Sequence, residues 1–202
     1  MFTYIFIIHS VQLLLMFIRV KKVIKAKREY EYAYLVNSKW RKRAKKKGMK
    51  KWPEHKYVKQ VGRVYRYKPK YTKDFEEFLG EDFEEFTEKN EVNKIYKSLI
   101  KYQLLNCGFT ENNNVYANGE IIVDLNRLMV HSNGKEAIVR INEKRGYICS
   151  HYLEELFKFS KINGREEGME LMKKIKQLGL QVDAEKFYIL AKKLIDIKNL
   201  EG

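Results

Sequence analysis

Four residues carry side chains that could bind zinc: Cys107, Cys149, His131 and His151. Cys149 and His151 stand two residues apart at the start of a predicted helix, and Cys107 ends an earlier one. Thiolate sulfur and imidazole nitrogen are the ligands that zinc prefers. None of these residues has zinc-finger spacing, so the pattern favours structural roles and predicts no metal site. Two cysteines without a secretion signal also predict reduced thiols and a cytoplasmic location.

Asp124 is the candidate for metal-dependent hydrolysis. A helix ending in LLNCGF, followed by GEIIVDL and EAIVRIN, resembles the layout of restriction-endonuclease-like nucleases. In that family an acid on the first hairpin binds the metal, and an E-x-K triplet on the next strand adds an acid and a lysine near the attacking water. Asp124 matches the first acid, but residues 139–142 read VRIN where the triplet belongs. The resemblance implies a nuclease, or an inactive relative, only as an alternative function.

Two copies of DFEEF, at residues 74–78 and 82–86, place paired carboxylates on predicted helices. Such pairs can hold metal ions, but no histidine accompanies these at ligand spacing. The phenylalanine spacing instead indicates an amphipathic helical linker at residues 72–90. We expect its phenylalanines to pack in the core and its acids to contact the basic segment that precedes it.

Residues 19–73 form that basic segment. They contain 22 Lys and Arg against three acids, a net charge of +19, whereas the whole chain has +15. Both tryptophans and seven of the 14 tyrosines also lie here. Cations with interleaved aromatic rings are the usual means of contacting phosphates and stacking on bases, so the predicted partner is nucleic acid.

Within the basic segment, apolar or aromatic residues alternate with polar ones, which is typical of β-strands. This pattern predicts an antiparallel meander of strands at residues 17–24, 29–36 and 56–67. The second strand has one face with Tyr30, Tyr32, Tyr34 and Val36, and an opposite face with Glu31, Ala33 and Leu35. A loop reading WRKRAKKKGMKKWPEH closes the hairpin between the second and third strands, and Gly62 predicts a bulge. The predicted nucleic-acid contacts follow the loop and the third strand: Lys39, Trp40, Arg41, Lys42, Arg43, Lys45, Lys46, Lys47, Lys50, Lys51, Trp52, Lys56, Lys59, Arg63 and Arg66.

The stretches MFIRVKK, YAYLVNSKWRKR and KYVKQVGRVY resemble the N-terminal strand module that precedes the catalytic domain of some insertion-sequence (DDE-class) transposases. The resemblance covers residues 16–71 and implies a DNA-binding accessory module. The residues that follow are too few for the RNase H-like catalytic core of that family, so transposase activity does not carry over.

The first 18 residues carry no charge and are followed by a basic flank. They reach the lower length limit for a membrane-spanning helix, which would anchor the rest of the chain on the cytoplasmic face and allow the basic segment to lie on anionic lipid. Alternatively, the chain begins at Met16, and MFIRVKKV is the first strand. Both interpretations remain open, and residues 1–15 are treated as a separate leader.

In residues 91–202 the spacing of the apolar residues changes several times between helical and strand periods. A helix, four short strands in two hairpins closed by Asn118-Gly119 and Asn133-Gly134, and three helices predict an α+β domain. No GxGxxG, Walker A or GxSxG motif occurs, so we expect no cofactor and no small-molecule substrate. The predicted function is non-catalytic binding of DNA or RNA by the basic segment.

Overall fold

The computed structural model describes residues 15–40, 53–70, 74–141 and 146–195. Within these ranges the chain forms an α+β fold, as predicted. The strands are β1 Leu15–Lys25, β2 Arg28–Trp40, β3 Pro53–Arg66, β4 Thr110–Asn112, β5 Val115–Asn118, β6 Ile121–Asp124, β7 Met129–Ser132 and β8 Lys135–Arg140. The helices are α1 Phe75–Leu79, α2 Phe83–Lys89, α3 Val92–Asn106, α4 Ser150–Phe157, α5 Arg165–Leu178 and α6 Ala184–Leu194.

The meander predicted from the basic segment is confirmed, because β1 pairs antiparallel with β2 and β2 pairs antiparallel with β3. The β1–β2 turn consists of Ala26 and Lys27, which have φ of +47° and +62°. Positive φ at both central residues is what a type I′ hairpin turn requires. The predicted bulge is also present: Ala33 pairs with Gly62 and Tyr34 with Gln60, which leaves Val61 as the extra residue.

A single sheet runs through both halves of the chain, in the order β1-β2-β3-β8-β7-β6-β5-β4. Strands β3 and β8 join the halves by a parallel pairing that places Arg63 opposite Ala137 and Arg66 opposite Arg140. The other neighbouring strands pair antiparallel. The segments predicted as 16–71 and 91–202 therefore share one sheet, a connection that the sequence pattern did not suggest.

Both predicted hairpins of the second half are confirmed. Asn118 pairs with Ile121 across the first turn, and Ser132 pairs with Lys135 across the second. Strand β4, which was not predicted, extends the sheet by pairing with β5.

Helix α3 lies in the core, where Tyr96 and Ile100 are fully buried. The phenylalanines of the linker helices pack as expected: Phe75 is buried, and its ring centroid lies 5.1 Å from that of Tyr102 on α3. Two of the linker acids form ion pairs with α6. Glu76 pairs with Lys186 at 3.2 Å and Glu84 with Lys192 at 3.5 Å, because the linker packs beside this last helix.

The start of the described chain is a strand, as MFIRVKKV predicts. Residues 1–14, which hold most of the uncharged run, lie outside the described ranges. Among the residues that the structure describes, no helix has the length and apolar character to cross a membrane.

Candidate nucleic-acid interface

The two faces of the β1–β3 meander have different environments. One face carries Ile18, Ala33, Leu35 and Val64, which are buried in the core that also contains β8. We call it the inner face. The other we call the tyrosine face: it carries Tyr30, Tyr32 and Tyr34 of β2, with β1 and β3 contributing Arg19, Lys21, Lys25, Tyr57 and Arg63.

Cations lie over the rings of the tyrosine face. The Nζ atom of Lys21 lies 5.4 Å from the ring centroid of Tyr34, and that of Lys25 lies 5.4 Å from the ring centroid of Tyr32. Tyr34 is the diagonal neighbour of Lys21, which lies opposite Tyr32, whereas Lys25 lies opposite Arg28 and reaches Tyr32 four residues further along β2. Cation–π attraction of this kind places positive charge directly above the aromatic surface.

Arg63 is held between two rings. Its Cζ atom lies 4.6 Å from the ring centroid of Tyr30 and 4.8 Å from that of Tyr65. The Tyr65 hydroxyl donates a hydrogen bond of 3.0 Å to Oγ of Ser132, which ties this group to β7. Arg63 and its two rings therefore form a connected cluster at the side of the tyrosine face that adjoins β8.

Most of the predicted contact residues belong to the segment that was predicted to form a loop between β2 and β3. The structure places Lys39 and Trp40 in β2. The other loop candidates lie outside the described residues: Arg41, Lys42, Arg43, Lys45, Lys46, Lys47, Lys50, Lys51 and Trp52. Their proposed contacts remain predictions.

The four described candidates on β3 do not form one surface. Arg66 lies on the inner side, where Nε and Nη2 donate bonds of 2.8 and 2.7 Å to the two carboxylate oxygens of Glu31. Lys59 lies opposite Leu35, and its Nζ is 3.8 Å from a carboxylate oxygen of Glu136.

Lys56 is exposed and lies opposite Asn37. Asn37 is on the same face of β2 as Leu35, so Lys56 also belongs to the inner face. Arg63 alone of the four belongs to the tyrosine face.

The residues that the prediction overlooked are the cations of β1, above all Lys21 and Lys25. The alternation of the tyrosines was visible in the sequence. What was missing was the register that brings β1 cations over them. That register follows from the turn at Ala26 and Lys27, which lacks the glycine or asparagine that marks such turns.

Asp124 has a structural role in the β6–β7 turn. Its Oδ1 atom accepts hydrogen bonds from the backbone N–H groups of Asn126, at 2.8 Å, and Arg127, at 3.0 Å. Side-chain acceptance of the following N–H groups is the usual way in which aspartate forms a turn. Across the described ranges, no three His, Cys, Asp or Glu residues form a group that could hold a metal ion.

The two thiols are free and buried. Burial raises the pKa of Cys107 to about 11 and that of Cys149 to about 12, so both are protonated at neutral pH. Burial also lowers the pKa of His151. Because the thiolate is the reactive form, these cysteines are poor nucleophiles and zinc ligands, and packing accounts for their positions.

Comparisons with protein-family models, with curated proteins and with solved structures give no match to this chain. The function must therefore be argued from the charges and contacts of the chain itself. Among the described residues, the tyrosine face combines exposed cations with a row of aromatic rings, which is the chemistry of a polyanion-binding surface.

Proposed function

We propose that this chain binds nucleic acid, DNA or RNA, in the cytoplasm and without catalysis, using the β1–β3 meander and the loop that joins β2 to β3. The observation that carries the proposal is the tyrosine face, on which lysine and arginine side chains lie over aromatic rings. The phosphates would contact the cations, and the bases would stack on the rings, as in other proteins that follow a nucleic-acid backbone.

The segment between β2 and β3 adds positive charge to the chain. Residues 41–52 include eight Lys and Arg and no acid. Like charges at this density repel one another, and an anionic partner would relieve the repulsion. The resemblance of residues 16–71 to the transposase accessory module agrees with DNA as such a partner.

Salt dependence tests the proposal. Each neutralised phosphate releases counterions, so the logarithm of the association constant should fall linearly with the logarithm of salt concentration, by about 0.7–0.9 per contact. Glutamine at six loop positions together should flatten the slope by several units and weaken binding to all sequences alike. The six are Arg41, Lys42, Arg43, Lys45, Lys46 and Lys47. A control with the same loss of charge replaces Lys94, Lys135, Lys161, Arg165, Lys173 and Lys176, and it should retain most of the slope.

Several outcomes contradict the proposal. If the loop variant binds as tightly as the unaltered chain with the same slope, the loop is not part of the site. Binding to vesicles that contain anionic lipid, without binding to nucleic acid, would favour the membrane-surface alternative. Cleavage of the oligonucleotides with Mg²⁺ or Mn²⁺ that is lost in Asp124→Ala would favour the nuclease.

A further inference from the structure

We infer that the tyrosine face selects single-stranded over duplex nucleic acid, by stacking unpaired bases on Tyr32 and Tyr34. This inference rests on the proposed function and names its substrate class. It follows from the spacing of the rings, from what now covers them, and from the contrast with the neighbouring Arg63 cluster.

The spacing of the rings excludes a duplex as the stacked partner. Tyr32 and Tyr34 are two residues apart on one strand, so their side chains leave the sheet about 6.8 Å apart, twice the strand rise of about 3.4 Å. Successive bases in one strand of a duplex are only about 3.4 Å apart. They also cover each other's faces and present only their edges in the grooves. An extended, unpaired strand can place neighbouring bases on neighbouring rings.

The rings of Tyr32 and Tyr34 are each contacted by a lysine side chain that reaches solvent, and Tyr34 also contacts the exposed ring of Tyr57. Lys21 and Lys25 are exposed, and each contacts its ring from an adjacent strand. Tyr32 and Tyr34 are half-buried, and a lysine over such a ring gains less free energy than a base stacked on it. A base therefore displaces the ammonium group, which stays on its flexible stem within reach of the adjoining phosphate.

Tyr30 has a different role. The Arg63 guanidinium contacts both the Tyr30 ring and the Tyr65 ring. Tyr65 is in turn fixed by the hydrogen bond from its hydroxyl to Ser132. A planar guanidinium between two rings is harder to displace than a single lysine, because both stacking contacts must be lost. This cluster thus bounds the platform on the β8 side and positions Tyr30 without exposing it to a base.

Tyr57 extends the platform in the other direction. It is 58% exposed, and its ring centroid lies 6.0 Å from that of Tyr34. From Tyr57 the strand β3 leads back toward Pro53 and the basic loop. A strand stacked on Tyr32, Tyr34 and Tyr57 would therefore run toward the start of β3 at Pro53.

The experiment measures fluorescence anisotropy of labelled 12-nucleotide single strands, in DNA and RNA form, and of the matching DNA duplex. Valine retains strand propensity but has no ring, so the pair Tyr32→Val and Tyr34→Val should weaken single-strand binding by about tenfold per ring. Duplex binding should change by less than about threefold, and the salt slope should stay the same, because no charge is removed. The pair Tyr32→Phe and Tyr34→Phe should bind like the unaltered chain, and so should Tyr188→Leu, a control at a 70% exposed tyrosine on α6.

A second measurement uses the unaltered chain, in case the valine pair does not fold. Nitration of Tyr32 and Tyr34 by tetranitromethane, read by mass spectrometry, should be suppressed by the single strand and not by the duplex, while nitration of Tyr188 should be unaffected by either.

The inference is overturned if the valine pair folds and binds single strands normally, if the phenylalanine pair loses as much as the valine pair, or if duplex protects the rings equally. Each of these results leaves salt-dependent binding intact. The absence of such binding to any nucleic acid would be a separate result, which removes the proposed function itself.

Discussion

Gly62 permits the close approach of β3 to β8. Its φ is +138°, and a Cβ atom at this position would lie 2.2 Å from the carbonyl oxygen of Glu136. Both the backbone strain and the collision oppose any side chain here. We predict that Gly62→Ala lowers the free energy of unfolding by about 3 kcal/mol, since strain and overpacking each cost about 1–3 kcal/mol. Urea denaturation followed by far-UV circular dichroism measures the loss.

Gly119→Ala is the matched control for that change. Gly119 also has positive φ, +61°, but nothing lies within 4 Å of a Cβ atom built there. Its replacement should cost only the backbone strain of about 1–2 kcal/mol. Equal losses at the two glycines would mean that the contact with Glu136 yields easily and that β3 and β8 are not held so closely.

At the scale of single residues, the local sequence pattern predicted which face of a strand a side chain occupies, but not which residues it contacts. The alternation of Tyr30, Tyr32 and Tyr34 placed them correctly on one side of a strand. Arg63 and Arg66 looked equivalent in the sequence, three residues apart in a basic run. Their different roles depend on Tyr65 and Glu31, and contacts between strands leave no local signal.

The pairing of Arg66 with Glu31 links the ends of β3 and β2. Glu31 has a side chain only 14% exposed and accepts both bonds from the guanidinium group. The hydrogen bond from Arg66 is the largest cause that lowers the pKa of Glu31. This carboxylate therefore stabilises the fold above its ordinary pKa, and the contribution is lost as pH falls through the lowered value.

We predict that Arg66→Gln lowers the free energy of unfolding by about 1–3 kcal/mol at pH 7, because Glu31 loses its two charge-assisted hydrogen bonds and keeps only the weaker attraction of Arg140 and Lys22. The loss should shrink at acid pH, where Glu31 is protonated in both variants. Urea denaturation across pH, with Glu31→Gln and the double variant completing a cycle, measures the coupling.

The salt slope of nucleic-acid binding distinguishes the structural role of Arg66, its pairing with Glu31, from the phosphate contact that was first predicted for it. It should change by less than one unit in Arg66→Gln. A larger change would return this arginine to the set of phosphate contacts.

At the scale of elements, the sequence predicted most strands and helices because their signals are local. Asn118-Gly119 and Asn133-Gly134 marked their hairpins, and the phenylalanines of DFEEF marked the buried side of the linker helices. Opposite charge suggested the basic segment as the partner of the linker acids, but Glu76 and Glu84 pair with α6. Glu76 lies instead beside Lys186, where the packing of α1 and α2 against α3 and α6 has placed it.

At the scale of the whole molecule, the order of the strands in the sheet could not be predicted from the sequence. Strands β3 and β8 are neighbours, although α1, α2, α3 and four strands separate them along the chain. Their pairing depends on backbone hydrogen bonds and on Gly62, neither of which produces a periodic signal. The basic composition of residues 19–73 therefore suggested a separate module with a boundary near residue 71.

The shared sheet predicts that the two halves unfold together. Leu35 and Val64 from the meander are buried in the same core as Ile138 of β8, so separating β3 from β8 would expose apolar side chains on both sides. Native-state hydrogen exchange measured in increasing urea should give the most protected amides of β2 and β8 the same free energy of opening, equal to that of global unfolding. If the amides of β2 opened at a clearly lower free energy while those of β8 stayed protected, the meander would be an independent unit. The boundary near residue 71 would then be correct despite the continuous sheet.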